Sequence, residues 1–295
     1  MKYDTIVIGG GLCGLVCGIR LLRSGVRCAI ISGGGCCLFF SSGSFNLLNR
    51  MPDGRAVTEP LKAMPELPDN HPYRLVGSDE SAAYAMQVPE FLASCGIKSN
   101  GSAERNSTRI SPVGIECPVW LTFTDKQLKD GGENPGTEVF AALKKTFCQE
   151  GGTFLFGDRV VSARTEWDTV VSVSTENLGE VSLKADNFVL ATGGFMSRGL
   201  ESVQNRIFEP LFEADMDSGS DRSEWYDRDF FGKQNFTGFG VKVNDRFQPM
   251  KAGKAFANLY AAGSVLGGCN SLYEGSGAGV AIITAMKVAD IISGK

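Results

Sequence analysis

Residues 5–14 read Thr-Ile-Val-Ile-Gly-Gly-Gly-Leu-Cys-Gly, a short apolar run that passes through Gly9-x-Gly11-x-x-Gly14 into a second apolar stretch. The pattern predicts a strand over 3–8 and a helix over 15–24, the opening unit of a doubly wound nucleotide-binding sheet. Each glycine has its own task. Gly9 permits the tight turn out of the strand, Gly11 lets backbone approach a phosphate with no Cβ in the way, and Gly14 allows the helix to lie close to the sheet. Leu12 and Cys13 complete the candidate phosphate loop, and the helix N-terminus behind it stabilises negative charge through unpaired N–H groups and the helix dipole.

The second half of the fingerprint departs from this pattern. Gly25 stops the helix and residues 26–31 read as a second strand, at whose end dinucleotide sites carry Asp or Glu to grip the ribose hydroxyls. Ser32 stands there instead, followed by Gly33-Gly34-Gly35. A serine supplies one hydroxyl, no charge and no bidentate grip. Either the ribose is held weakly, with Ser32 and Gly33 as contacts, or the ligand is a mononucleotide with no adenosine ribose to hold.

Composition narrows the remaining choices. The 295 residues are 43% hydrophobic, enough for a large core, and carry a net charge of −4 with no basic tract, which gives no basis for a nucleic-acid partner. No apolar run approaches the roughly 20 residues that span a bilayer. The N-terminus leads straight into the first strand, so no signal peptide is expected. The nine cysteines include no C-x-x-C pair, and the expectation is reduced cytoplasmic thiols and no metal site.

Two further glycine-bearing turns follow. Residues 187–194, Asn-Phe-Val-Leu-Ala-Thr-Gly-Gly, predict a buried strand ending in Thr192-Gly193-Gly194, where side-chain-free backbone meets a ligand at the carboxyl edge of the sheet. Residues 258–264 repeat the design with a strand ending in Gly263-Ser264, and Gly275, Gly277 and Ala278 open an apolar helix to about Ile292. Between the first and second turns, Ser41, Ser42, Gly43 and Ser44 offer hydroxyls and backbone N–H groups suited to a phosphate or a flavin edge. Residues 52–77 form a proline-rich excursion, a helix opens at Ser78, bends near Pro89 and ends by Gly96, and 111–120 looks extended. Residues 125–136 form a polar linker, Thr137 caps a helix to about Gln149, and strands over 153–156, 159–163 and 169–175 make a meander. Three separated parts of one cradle make a flavin the reading.

Phe40-Ser41-Ser42-Gly43-Ser44, His71-Pro72-Tyr73, Glu224-Trp225-Tyr226 and the run Leu259 to Gly268 resemble the B-type subunit of anaerobic glycerol-3-phosphate dehydrogenase. The similarity covers about 1–120 and 147–295. It implies FMN, with FAD as the alternative, in a chain that works beside a catalytic FAD subunit and an iron–sulfur membrane-anchor subunit. Together these oxidise glycerol 3-phosphate to dihydroxyacetone phosphate and pass electrons to quinone. The implied location is the cytoplasm, or the cytoplasmic face of the inner membrane through a partner. The order of elements also resembles two-dinucleotide-fold flavoproteins, in which Val160 would lend backbone contacts to the adenine end of FAD and the C-terminal helix would face the flavin edge. Members of the B-type family are longer between Trp120 and Thr137, so catalysis on glycerol phosphate by this chain alone is placed in doubt.

Alcohol oxidation by a flavin needs a base and a cation for the phosphate. His71, the single histidine, is the candidate base, although its Asn-His-Pro-Tyr setting equally suits a surface turn. Arg198 and Arg222 are the candidate phosphate cations, and each reads as well as a surface charge or, for Arg222, a partner of Asp221 or Glu224. An electron-relay role requires none of the three. The expected architecture is α/β, a Rossmann-like flavin-binding fold with a parallel sheet, a β-meander and a smaller inserted segment. The flavin domain is assembled from 1–120 and 147–295, with 121–146 as the abbreviated insertion. A self-sufficient fumarate-reductase-like FAD oxidoreductase and a non-catalytic assembly subunit are the alternatives.

Overall fold

The computed structural model describes residues 2–41, 43–110, 114–123, 134–219, 221–230 and 232–295. The N-terminal apolar run forms β1 (Lys2–Ile8), buried over its last four residues, and the glycine turn delivers the chain into α1 (Leu12–Arg23). β2 (Cys28–Ser32) is buried throughout and lies parallel to β1, with Thr5 opposite Cys28 and Ile8 opposite Ile31. Continuous apolar burial of this kind is what a parallel strand covered on both faces requires.

The proline-rich excursion contains α2 (Pro72–Val76), which leads through Gly77 into α3 (Ser78–Ser94) with Pro89 inside it. Short antiparallel strands surround this segment, among them the hairpin Ser107–Ile110 with Glu116–Val119. Of the polar linker, residues 125–133 lie outside the described residues. The next helix, α4 (Pro135–Gln149), starts three residues earlier than expected, because Asn134 rather than Thr137 is its cap and accepts a hydrogen bond from Gly136 N–H, with proline at the first position. A Cβ at Gly18 would stand 2.7 Å from Phe147 of α4 and 2.9 Å from Ile30, so the missing side chain is what lets α1 reach both the sheet and α4.

The other strands of the main sheet are β3 (Thr153–Phe156), β4 (Val160–Glu166), β5 (Thr169–Thr175), β6 (Ser182–Leu190) and β7 (Leu259–Ala261), and the chain closes with α5 (Gly277–Ser293). The seven strands form one sheet in the order β3-β2-β1-β6-β5-β4, with β7 also on β6. β6 joins two regimes. From Lys184 onward it is parallel to β1, and from Phe188 also to β7, while Ser182 and Leu183 pair antiparallel with β5, so the meander is β4-β5-β6 and β3 belongs to the parallel layer beside β2. The fold is thus the expected α/β arrangement. α5 packs along α1, fixed by a bidentate pair from Arg20 to Asp290 at 2.6 and 2.7 Å, which Tyr84 OH of α3 joins at 2.8 Å. All of the parallel strands end at one edge, and the glycine turns lie there.

Candidate functional site

At that edge the three turns interlock. Gly9 has φ 117°, and a Cβ there would collide with the carbonyl oxygen of Ala191, the residue that leads into Thr192-Gly193-Gly194. A Cβ at Gly14 would collide with Gly9 O, so this glycine seats the helix on the turn. Gly193 (φ 79°) would meet Ser264 Oγ at 3.5 Å, Gly194 would meet Ser264 O at 3.3 Å, and Gly263 (φ 79°) would meet Cys13 at 3.0 Å. The edges are also stitched by Ala191 N–H to Ile8 O at 2.8 Å, Ala262 N–H to Leu190 O at 3.0 Å and Gly263 N–H to Thr284 Oγ1 at 2.9 Å. Turns about 180 residues apart in sequence therefore meet at one edge of the sheet, the candidate cleft of the flavin reading.

Several features of this edge suit an anionic nucleotide. α1 begins at Gly11 with no capping side chain and no acidic residue in its first turn, leaving its N–H groups and dipole to an external anion. A Cβ at Gly11 would meet nothing nearer than Cys36, an ordinary contact at 3.7 Å, so this position is not crowded by the protein. Thr192 Oγ1 is buried with no hydrogen-bond partner in the protein, and the Ser264 side chain is exposed beside it. Leu12 is half-buried at the helix start and Cys13 is buried against the third turn.

Other expected contacts sit differently. Ser32 is buried and its Oγ accepts from Gly34 N–H at 3.3 Å, so the hydroxyl serves its own turn, while Gly33 is open with Arg159 Cβ at 3.8 Å. Ser41 Oγ donates to Ser44 O at 3.4 Å, Ser44 Oγ accepts from Arg109 at 3.3 Å, and Gly43 is packed on Pro135 at the head of α4. Ser42 lies outside the described residues. The segment still borders the cleft, because Cys37 Sγ stands 3.6 Å from Ser197 Oγ. Gly275 is packed on Asn49, and a Cβ at Gly279 would collide with Tyr73 OH. The small residues there serve packing against residues 47–73, leaving Gly277 and the half-buried Ala278 as the open positions. Val160 is buried at the start of β4.

The three candidate catalytic residues do not converge. Arg198 is exposed in a left-handed turn (φ 58°), and Arg222 is exposed and donates to Gln204 O rather than pairing with Asp221 or Glu224. His71 is wholly buried, not on a surface turn. Its Nδ1 accepts from Tyr73 N–H at 3.1 Å, capping α2, which places the ring proton on Nε2, 3.2 Å from Glu274 Oε2. With one nitrogen accepting and the other protonated, no lone pair is left for a base.

Glu274, which sequence reasoning passed over, is the hub of this cluster. Its carboxylate accepts from His71, from Asn270 N–H at 3.0 Å, from Cys269 Sγ at 3.2 Å and from Ser276 Oγ at 3.4 Å. Burial raises its pKa, but the hydrogen bond and electrostatic attraction of His71, followed by the hydrogen bonds from Cys269 and Asn270, outweigh that and hold it below the ordinary carboxylate value. Burial first, and the Glu274 charge second, push the Cys269 thiol well up. Among the described residues His71, Cys269 and Glu274 are the one group with metal-ligand spacing. The His71 tautomer opposes that use, since a metal on Nε2 would drive the proton onto Nδ1 against Tyr73 N–H. Its only sequence signal is a carboxylate one turn before a glycine-rich helix start.

Beside the third turn lies a cavity of about 390 Å³, lined among others by Asp217, Glu224, Lys233, Asn270 and Glu274. It adjoins the cleft through Phe195, next to Gly194, whose ring meets Phe236 edge-on at 5.8 Å, ahead of the lining residues Gly238 and Phe239.

Comparison with known proteins agrees with this geometry. Residues 4–143 and 133–280 match the FAD binding domain family. The chain belongs to that family. The match to an FAD-binding domain supports FAD and gives no support to FMN as the first choice of cofactor. The two matched stretches overlap over 133–143, the end of the polar linker and the first part of α4. Its relatives include the B-type subunit of anaerobic glycerol-3-phosphate dehydrogenase from Yersinia enterocolitica, 29% identical over 416 aligned positions that cover 99% of this chain and 98% of that one. The protein of the same name from Actinobacillus pleuropneumoniae is 28% identical over 427 positions, covering 100% of both. Alignments that long, for 295 residues, mean that the relatives carry residues without a counterpart here. Among solved structures, Mycobacterium smegmatis Sdh1 superposes with a TM-score of 0.64 at 12% identity, covering 100% of this chain and 69% of that one. A flavocytochrome c3 fumarate reductase gives 0.60 at 13%, covering 99% and 78%.

Proposed function

We propose that this chain is the FAD-carrying subunit of a respiratory, anaerobic glycerol-3-phosphate dehydrogenase, and that it relays electrons toward quinone while a partner subunit oxidises glycerol 3-phosphate. The observation that carries the reading is the interlock of the three glycine turns around the bare N-terminus of α1. Gly11, Leu12 and Cys13 would hold the pyrophosphate, and Thr192, Gly193, Gly194, Gly263, Ser264, Gly277 and Ala278 would line the flavin side. A flavin bound there supplies two-electron oxidation and one-electron transfer. The chain's own residues exclude water and present backbone rather than side chains to the ring.

Support for a relay role comes from the cavity. Among its described lining residues the one cation, Lys233, is hydrogen-bonded to Pro52 O and stands against Asp217, Glu224 and Glu274, and neither Arg198 nor Arg222 lines it. No helix among the described residues is long and apolar enough to cross a membrane, so contact with quinone would run through an anchoring partner, which fits relatives named as one subunit of a larger dehydrogenase. Purified protein should show flavin absorbance and release FAD on denaturation. Protein that stays colourless after incubation with FAD would refute the reading in favour of an assembly subunit. The chain alone should not reduce its flavin with glycerol 3-phosphate. If it does, it is a self-sufficient oxidoreductase.

A further inference from the structure

If FAD is the ligand, its adenosine half must be held without the carboxylate that dinucleotide sites place at the end of the second strand, and Ser32, whose hydroxyl already accepts from Gly34 N–H, supplies no charge and no bidentate grip in its place. The same edge carries a different set of groups. Phe156, the last residue of β3, is 53% exposed although its neighbours Phe154 and Phe140 pack inward. Lys144 of α4 lies over its ring at 4.4 Å, and the Gly33-Gly34 turn runs past its tip, the nearest approach from a Cβ at Gly34 being 3.8 Å. Arg159 flanks the same turn, half-exposed, with Glu176 at a loose 3.8 Å.

A half-exposed aromatic ring, with a lysine over one side and side-chain-free backbone at its tip, leaves surface on which a flat π-system can stack, and every nucleobase has such a face. Arginine beside it can donate to ribose hydroxyls or base nitrogens, reversing the polarity of the usual contact, in which a carboxylate accepts. We propose that Phe156 and Arg159, around the Gly33-Gly34 turn, are the residues that recognise the adenosine half of the cofactor, by stacking and by donation, and so select FAD over FMN. The inference rests on the flavin reading and adds to it the origin of dinucleotide selectivity.

The test is titration calorimetry of the apoprotein with FAD, with FMN and with ADP. The wild-type chain should bind FAD at least tenfold more tightly than FMN, and ADP should compete with FAD. Phe156→Ala should weaken FAD and ADP about tenfold, the lower range of base-stacking losses, and leave FMN unchanged. Arg159→Gln should weaken FAD and ADP in the same sense with a normal melting temperature. Phe156→Tyr, which keeps the π-face, should bind FAD like wild type and so controls for folding. Equal affinity for FAD and FMN, or FAD binding indifferent to both substitutions, would overturn the proposal while leaving the flavin reading intact. Failure of either flavin to bind would overturn both.

Discussion

Glu274→Gln gives a sharp test of the buried cluster. The carboxylate serves four donors, three of them on Oε2 and Asn270 N–H on Oε1. A glutamine keeps one acceptor oxygen and turns an NH2 group toward the donors on the other side, so at least one buried donor faces a donor and the remaining bonds lose their charge assistance. Leaving one buried donor unsatisfied costs about 1–3 kcal/mol, and hydrogen bonds to a charged group are worth about 1.5–3 kcal/mol each. The expected loss is therefore about 3 kcal/mol, read as a lower urea midpoint at unchanged slope. Its pH dependence follows from the lowered pKa of Glu274. A carboxylate depressed by folding contributes stability that is full above its unfolded value, here 4.5, and is lost as pH falls through the folded value. The gap between wild type and variant should thus be flat from pH 8 to pH 6 and shrink only in acid. A gap that decays as pH rises through the range where imidazoles titrate would show that His71 is an imidazolium, and would refute the tautomer derived from the Tyr73 contact.

Three other outcomes follow from the same geometry. Gly9→Ala should cost about 3 kcal/mol or more and abolish flavin retention, because the backbone is at φ 117° and the new Cβ meets Ala191 O; thermal melts and the bound-flavin spectrum check both effects. Asp290→Asn should lower stability by about 2–3 kcal/mol in urea melts by loosening Arg20 and Tyr84. Burial raises the Asp290 pKa but the Arg20 and Tyr84 bonds lower it further, so the deficit should be present at neutral pH and fade as pH falls through the folded value. In the native protein a maleimide should label the exposed Cys37 and Cys148 first and spare Cys13, Cys28 and Cys269, whose thiols burial pushes well up; mass spectrometry of the adducts reads the order.

The parts of this fold legible in the sequence are those in which a local pattern has a local cause. Strand, glycine turn and helix at the N-terminus follow from apolar periodicity and the steric need at Gly9 and Gly14, and the two later turns repeat that logic. Their meeting in space was a consequence of parallel strands ending at a common edge, which sequence order alone permits one to infer. The misses share a different cause. His71 sits in a proline-bounded run that reads as a turn, and nothing within that run reveals a carboxylate 203 positions away. Gly275 and Gly279 look like ligand-facing glycines, yet the space they leave is filled by Asn49, Leu47 and Tyr73. The hydroxyls of Ser32, Ser41 and Ser44 are polar groups whose partners are fixed by neighbouring backbone or by Arg109, so their presence in sequence did not make them available.

The charge of the cavity bears on how labour is divided in the proposed complex. Its wall carries Asp217, Glu224 and Glu274 against one cation, Lys233, and that ammonium is engaged with Pro52 O at 2.9 Å and lies 5.3 Å from the Tyr273 ring. The amide groups of Asn235 and Asn270 each give one N–H to a protein carbonyl, Glu224 O and Gln234 O, which leaves one neutral donor apiece against three carboxylates. A phosphate ester entering here would find acceptors. At about 5 Å and an effective dielectric of about 20, each pair of like charges opposes binding by ~3 kcal/mol, and a phosphate carries nearly two charges. The hydroxyls of glycerol 3-phosphate would gain less than that from uncharged hydrogen bonds worth about 1 kcal/mol each. Calorimetry with glycerol 3-phosphate should therefore detect no saturable binding to this chain, while the assembled complex turns the substrate over. Saturable binding that Lys233→Met abolishes would show the lysine released onto the phosphate, and would move alcohol oxidation from the partner to this cavity.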